Sequence, residues 1–204
     1  TISPLTDTFI DSNIGGHFAP LLKMCGFDAL AVQGIADKEV VLIVDGDEST
    51  ISIAQAPAYG GETDLGGLNY GEALLKEFNG GNLADNLAAV TTGSGAIHAR
   101  FGIINSLFYD RRRGRLRSKQ AGRGGTGTVM RFKGLKAVIV RSSQPRVKAN
   151  NPVDKKGVQQ AGAALKTVIS QQDSKQLHLS AWGTPVLAEY MNKFHLLPVN
   201  NYQY

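Results

Sequence analysis

Strand-length apolar runs punctuated by glycine turns fill the first 142 residues of this chain and then stop. Val40–Val44 is one continuous run, and Leu87–Thr91 and Leu135–Arg141 are two more. Each reads as a strand. Ile51-Ser52-Ile53 alternates, and Asp45-Gly46-Asp47 before it is a hairpin signal. Ala29–Gln33 reads as a short strand, and Ala99–Ser106 as another beyond the turn Thr92-Gly93-Ser94-Gly95. Two helices interrupt the strands. Phe18, Leu21, Leu22 and Cys25 recur at helical spacing until Gly26 stops them, and Asp11-Ser12-Asn13 offers a cap. Gly71–Phe78 is closed by Asn79-Gly80-Gly81.

Beyond residue 142 the character changes. The next dozen residues carry Ser, Gln, Pro and Asn without periodicity and read as a linker. Gly157–Gln171 then repeats apolar residues at helical intervals (Val158, Ala161, Leu165, Val168, Ile169), and Pro185–Phe194 is a second helical stretch. The expected fold class is therefore α+β. A sheet-rich domain would occupy 1–142, a linker 143–154 and the start of a helical domain 155–204.

Composition excludes several functional classes. No apolar run approaches the roughly 18 residues of a membrane span. The opening Thr1-Ile2-Ser3-Pro4 has no basic or apolar leader region, so it reads as chain that starts within a domain of a longer protein. The single Cys25 permits no internal disulfide and no multi-cysteine metal site, and among Leu21, Leu22, Met24 and Phe27 it reads as a buried structural thiol. A reduced, cytoplasmic setting fits that usage. The net charge of +5 is local: residues 110–119, DRRRGRLRSK, carry six basic residues against Asp110, a surplus of five. We read this stretch as a loop, solvated or serving as a docking patch for an acidic electron carrier. Without interleaved aromatics it is a poor nucleic-acid footprint.

Two segments pair glycines with a polar side chain: Asn13-Ile14-Gly15-Gly16 and Gly122-Arg123-Gly124-Gly125. Glycine lets backbone approach a ligand closely, successive N–H groups attract anions, and Arg123 adds a two-pronged phosphate donor. Either alone is also an ordinary tight turn. The second is no dinucleotide fingerprint, because basic residues rather than an apolar parallel strand precede it, and no Gly-Lys-Ser/Thr makes it a P-loop.

Longer stretches around these segments resemble one family. SPLT at Ser3–Thr6, DSNIGGHF at Asp11–Phe18, LKMCGFD at Leu22–Asp28, AGRGGTGTVMRFKGLKAVIV at Ala121–Val140 and WGTPVLAEYMNKFHLLPVNNYQ at Trp182–Gln203 are similar, in order and spacing, to motifs of the aldehyde:ferredoxin oxidoreductase family. The resemblance implies a tungsten, sometimes molybdenum, ion held by the dithiolenes of two pterins. It further implies Mg2+ bridging the pterin phosphates, a [4Fe-4S] cluster, and electrons passed to ferredoxin as an aldehyde is oxidised to its acid. By position, Asn13 and Gly15 from the first motif, and Lys119, Gln120, Gly122 and Arg123 at the second, would bind the cofactor. No catalytic residue and no metal ligand is assigned, because those of the family are expected downstream of Tyr204. The tungsten subunit of a class II benzoyl-CoA reductase is an alternative within the family, and a non-enzymatic binding fragment is one outside it. Homo- or hetero-oligomers fit either enzyme.

Three departures stand out. Lys119-Gln120-Ala121 replaces Arg-Ala-Ala, which keeps the charge and loses the guanidinium fork. The basic stretch before it is longer than the family's connection. Thr92-Gly93-Ser94-Gly95-Ala96-Ile97 lacks the glutamate of the corresponding family turn. His17, His98, His178 and His195 show no metal-ligand spacing. His17 reads as a packing residue that alternatively faces the pterin, Trp182 reads as core, and Tyr202 and Tyr204 are given no role.

Overall fold

The computed structural model describes residues 1–59, 66–143, 152–198, 200 and 203. Most of the stretch expected as linker lies outside the described residues, as do Tyr202 and Tyr204. Two compact units, Thr1–Asn150 and Asn151–Tyr204, divide the chain.

In the first unit six strands form one mixed sheet: β1 (Val40–Asp45), β2 (Thr50–Gln55), β3 (Leu87–Thr91), β4 (Ile104–Asp110), β5 (Arg115–Ala121) and β6 (Leu135–Arg141). Their spatial order is β2-β1-β6-β3-β4-β5. Only β1 and β6 run parallel; every other neighbouring pair is antiparallel. Burial follows the apolar runs. All five residues of β3 are buried and six of the seven in β6, whereas β2 is exposed throughout. The most apolar strands occupy the middle because only there are both faces covered.

Among the described residues, the helices of this unit are α1 (Phe18–Met24), α2 (Gly67–Glu77), α3 (Gly95–His98) and α4 (Thr126–Phe132). On one face of the sheet, Val90, Phe108, Val138 and Val140 pack with Leu21 and Leu22 of α1 and Met130 of α4. On the other, Ala89, Leu107, Ala137 and Ile139 pack with Tyr70, Leu74 and Leu75 of α2. Alternate residues of each strand thus feed opposite cores. The backbone of α2 lies close to the sheet because Gly71 has no side chain: a Cβ there would sit 2.7 Å from Leu107 Cδ1.

Several local expectations change. Ala29–Gln33 is not a strand, although Leu30 and Val32 pack against the α1 core. The strand expected over Ala99–Ser106 begins only at Ile104 and runs to Asp110. The turn before it leads into the single helical turn α3 instead. The largest difference is the basic stretch. It is a hairpin, with a turn over 111–114 and β5 paired to β4 along its whole length. Asp110 closes its turn by accepting hydrogen bonds from the Arg113 N–H at 3.2 Å and from Arg113 Nη1 at 2.8 Å. Asp11-Ser12-Asn13 does not cap α1, whose N-cap is His17 with no side-chain hydrogen bond. Gly26, at φ +92°, does end that helix. Cys25 is buried, its thiol donating to the Arg141 carbonyl at 3.2 Å, and burial pushes its pKa up.

The second unit holds α5 (Lys155–Gln172), α6 (Leu179–Trp182) and α7 (Leu187–Lys193), with short 3-10 turns over Asp173–Gln176 and Thr184–Val186. Asp154 caps α5, accepting the Gly157 N–H at 2.8 Å. No residue of α5 is buried within the unit, its apolar stripe included. Trp182, expected in a core, ends α6 and is 68% exposed. Among the described residues, no helix is long and apolar enough to cross a membrane.

Candidate functional site

The two glycine segments meet. β5 ends at Ala121, and Gly122-Arg123-Gly124-Gly125 turns the chain into α4. Gly124 and Gly125 adopt φ +70° and +66°, and both are hemmed in: a Cβ on Gly124 would fall 2.2 Å from Ile10 Cγ1, one on Gly125 2.1 Å from the Arg100 carbonyl oxygen. Only glycine satisfies both demands. The first segment is pressed against the same part of the sheet. Gly16, at φ +104°, has room for no Cβ beside the Phe108 ring, 2.6 Å away, and the Gly15 Cβ position is 3.5 Å from Lys119 Cγ. A hydrogen bond ties the segments, the Arg123 backbone N–H donating to Ser12 Oγ at 3.2 Å.

Between them lies an open, polar cleft of about 570 Å3 lined by Asp11, Ser12, Asn13, Gln120, Gly122 and Arg123. Four of the expected residues, Asn13, Gln120, Gly122 and Arg123, therefore share one cleft. Gly15 and Lys119 lie against each other beside it. The lining supplies amides, a hydroxyl, a guanidinium and the single carboxylate of Asp11. Neither Lys119 nor Arg123 makes an ion pair among the described residues. A cleft lined by one uncommitted guanidinium and one acid, with the Lys119 side chain beside it, is suited to a phosphate. Gly122 differs from its glycine neighbours in that a Cβ there would meet nothing within 4 Å. Its missing side chain leaves the cleft open rather than relieving a contact inside the protein.

Hydrogen bonds and ion pairs anchor the helix that follows this loop. Thr128 Oγ1 donates to the Ala99 carbonyl at 2.6 Å and accepts the Gly102 N–H at 2.9 Å, fixing α4 against the stretch before β4. Buried Arg131 pairs with Glu39, and Lys136 Nζ lies 3.2 Å from the same carboxylate. The turn that lacks the family glutamate has a packing role: Thr92 Oγ1 donates to the Gly127 carbonyl at 3.3 Å.

Sequence reasoning misses Ser12 and Ile10 as parts of the site. The first suggests only a helix cap; the second fills the space beside Gly124. His17 lies on the Phe108 ring, centroids 4.4 Å apart, which is its packing reading. Among the described residues, no group of three or more His, Cys, Asp and Glu is placed to hold a metal ion.

Known proteins share this framework. The sequence profile of the family described as "Aldehyde ferredoxin oxidoreductase, N-terminal domain" matches residues 1–142. The tungsten-containing aldehyde ferredoxin oxidoreductase of Pyrococcus horikoshii is 29% identical over 203 residues, which cover 100% of this chain and 30% of that protein. The aliphatic sulfonate oxidoreductase, WOR-like subunit, of Pyrococcus furiosus is 31% identical over 144 residues, 70% of this chain and 22% of its own length. A solved structure, the active site complex BamBC of benzoyl coenzyme A reductase with 1,5-dienoyl-CoA, superposes with a TM-score of 0.56 at 29% identity, covering 70% of this chain and 19% of that one. The chain thus spans about 30% of the length of the aldehyde ferredoxin oxidoreductases it matches.

Proposed function

The chain belongs to the aldehyde ferredoxin oxidoreductase family, and from that premise we propose that it seats the phosphate ends of a tungsten-bispterin cofactor in an enzyme oxidising aldehydes to carboxylic acids. The observation that carries this reading is the single cleft shared by both glycine motifs. When bound, the cofactor supplies the redox centre, with molybdenum as the alternative metal and electrons leaving through a [4Fe-4S] cluster to ferredoxin.

The donor set fits that group. Arg123 and Lys119 supply charge for phosphate, and Gln120 and Asn13 supply amide donors. Gly122 keeps the approach clear. Asp11 and Asn13 carry hard oxygen atoms of the kind Mg2+ prefers and would be the residues to hold such an ion here. The lining of amides, a hydroxyl, a guanidinium and one carboxylate is a donor set that would grip the cofactor by its phosphates. Residues 1–142 would act as the base under the cofactor and 155–204 as the start of a helical domain. The setting would be cytoplasmic.

Arg123→Ala in the parent enzyme tests the reading by metal content. Tungsten per chain should fall several-fold while the fold persists, because a charge-assisted phosphate contact is lost from an exposed loop. Unchanged tungsten would remove Arg123 from the site. A second reading, ring reduction as in benzoyl-CoA reductase, draws on the superposed solved structure. Turnover of aromatic CoA thioesters, without turnover of aldehydes, would select it.

A further inference from the structure

β5 is the last strand of the sheet, and it is the most basic segment of the chain. Its only strand partner is β4, and no other backbone hydrogen bond reaches Arg115–Ala121 among the described residues. Alternate backbone groups of an edge strand point outward, where they are free to pair with another extended chain. Asp110, Phe108 and Ser106 on β4 stand opposite Arg115, Arg117 and Lys119 on β5. Cross-strand partners share a face, so the three cations form a row on the α1 side of the sheet, about 6.6 Å from one to the next.

The charges of this row are only partly answered. Asp110 takes Arg113 and Arg117, and Arg111 lies 3.9 Å from Asp85. Arg112, Arg115 and Lys119 form no ion pair among the described residues. The Arg117–Asp110 contact, at 3.3 Å, already displays what the row recognises: a carboxylate on the neighbouring strand.

We propose that the outer edge of β5 docks an acidic, extended segment of a partner protein, which adds to the sheet as a seventh strand. Ladder hydrogen bonds would supply the affinity of such strand addition, and side chains at alternate positions its specificity. A carboxylate on every second residue of the incoming strand falls directly opposite Arg115, Arg117 and Lys119, where opposite charges attract across the ladder. A nucleic acid is a poorer match. The residues interleaved with the cations are Leu116, Ser118 and Gln120, none of which offers a stacking surface for bases. The edge and the cleft meet at Lys119 and Gln120, whereas Arg115 belongs to the edge alone, so a substitution there tests the docking without testing the cofactor reading.

The test uses the whole 204-residue chain and fluorescence anisotropy at physiological salt. Four probes of matched charge are compared: a peptide of about nine residues with alternating Glu and Thr, the same composition with its glutamates contiguous, the alternating peptide N-methylated at every second amide, and single-stranded DNA. The alternating peptide should bind about tenfold tighter than each of the others, the sum of three modest cross-strand pairs. Arg115→Gln should weaken it about threefold or more, with circular dichroism unchanged, whereas Lys166→Gln on α5 should leave it alone. Equal binding of all four probes would reduce the hairpin to a general polyanion surface and overturn the proposal. So would tightest binding of DNA, failure of the alternating peptide to bind, or indifference to Arg115→Gln.

Discussion

The backbone N–H of Arg123 donates to the hydroxyl of Ser12 at 3.2 Å, joining two loops 111 residues apart in sequence. Ser12→Ala should therefore lower stability by about 1 kcal/mol, the usual worth of one hydrogen bond. In the parent enzyme it should also lower tungsten content. Ser12→Thr keeps the acceptor and should restore both. Thermal unfolding and elemental analysis read the two effects separately. Metal content unaltered in Ser12→Ala would show that the loops hold their places without the tie.

Neighbouring glycines should separate structural from ligand roles. Gly125→Ala places a Cβ in the Arg100 carbonyl at positive φ, and should cost at least about 2 kcal/mol in denaturant unfolding. Gly122→Ala meets nothing in the protein. Its stability should stay within about 0.5 kcal/mol of the parent, while cofactor retention drops because the methyl enters the cleft. Comparable destabilisation by both would mean that Gly122 serves the fold.

Asp110 makes the hairpin sensitive to acid. Chiefly through the Arg113 hydrogen bond, with Arg117 adding to it, its carboxyl is held down to about 2 from the ordinary 3.8. Because the folded value is the lower one, the resulting stabilisation is fully present above 3.8 and fades as pH falls towards 2. A carboxyl-detected NMR titration should place the midpoint near 2 and move it up in Arg113→Gln. A midpoint indifferent to that substitution would mean that the guanidinium does not hold the carboxyl down.

Core substitutions should have sharply unequal effects. Leu74 on α2 is fully buried between the helix and the sheet, so Leu74→Ala should cost about 2–5 kcal/mol. Leu165 on α5 is 60% exposed within its unit, and Leu165→Ala should change stability by less than about 0.5 kcal/mol. Urea midpoints of the two variants measure the contrast.

Which parts of the fold are legible in the sequence follows from which interactions are local. Val40–Val44, Leu87–Thr91 and Leu135–Arg141 announce themselves because strands covered on both faces need unbroken apolar runs. β5 is hidden because its alternation is cation against Leu116, Ser118 and Gln120, which resembles a solvated loop until Asp110 and the β4 partners are known. Ala29–Gln33 misleads because Leu30 and Val32 pack without pairing. The cleft residues are visible as motifs, but Ser12 becomes visible only as a partner of Arg123, since nothing local links positions so far apart. Trp182 misleads because an aromatic in a short helical segment suggests burial that its own unit does not provide.

The place of β6 sets an order on assembly. Among the described residues it is the last strand along the chain, yet it lies between β1 and β3 and is the only strand that touches both halves of the sheet. The β1–β2 hairpin and the β3–β4–β5 meander each close through neighbours in sequence, and nothing pairs one with the other before Leu135–Arg141 has emerged from the ribosome. Until then each half presents an open apolar edge, the kind of surface on which nascent chains associate wrongly. The strand that arrives last joins the two pieces into one sheet, so a chain ending before it would carry both glycine loops on the β3–β4–β5 meander alone, without the β1–β2 hairpin tied to it.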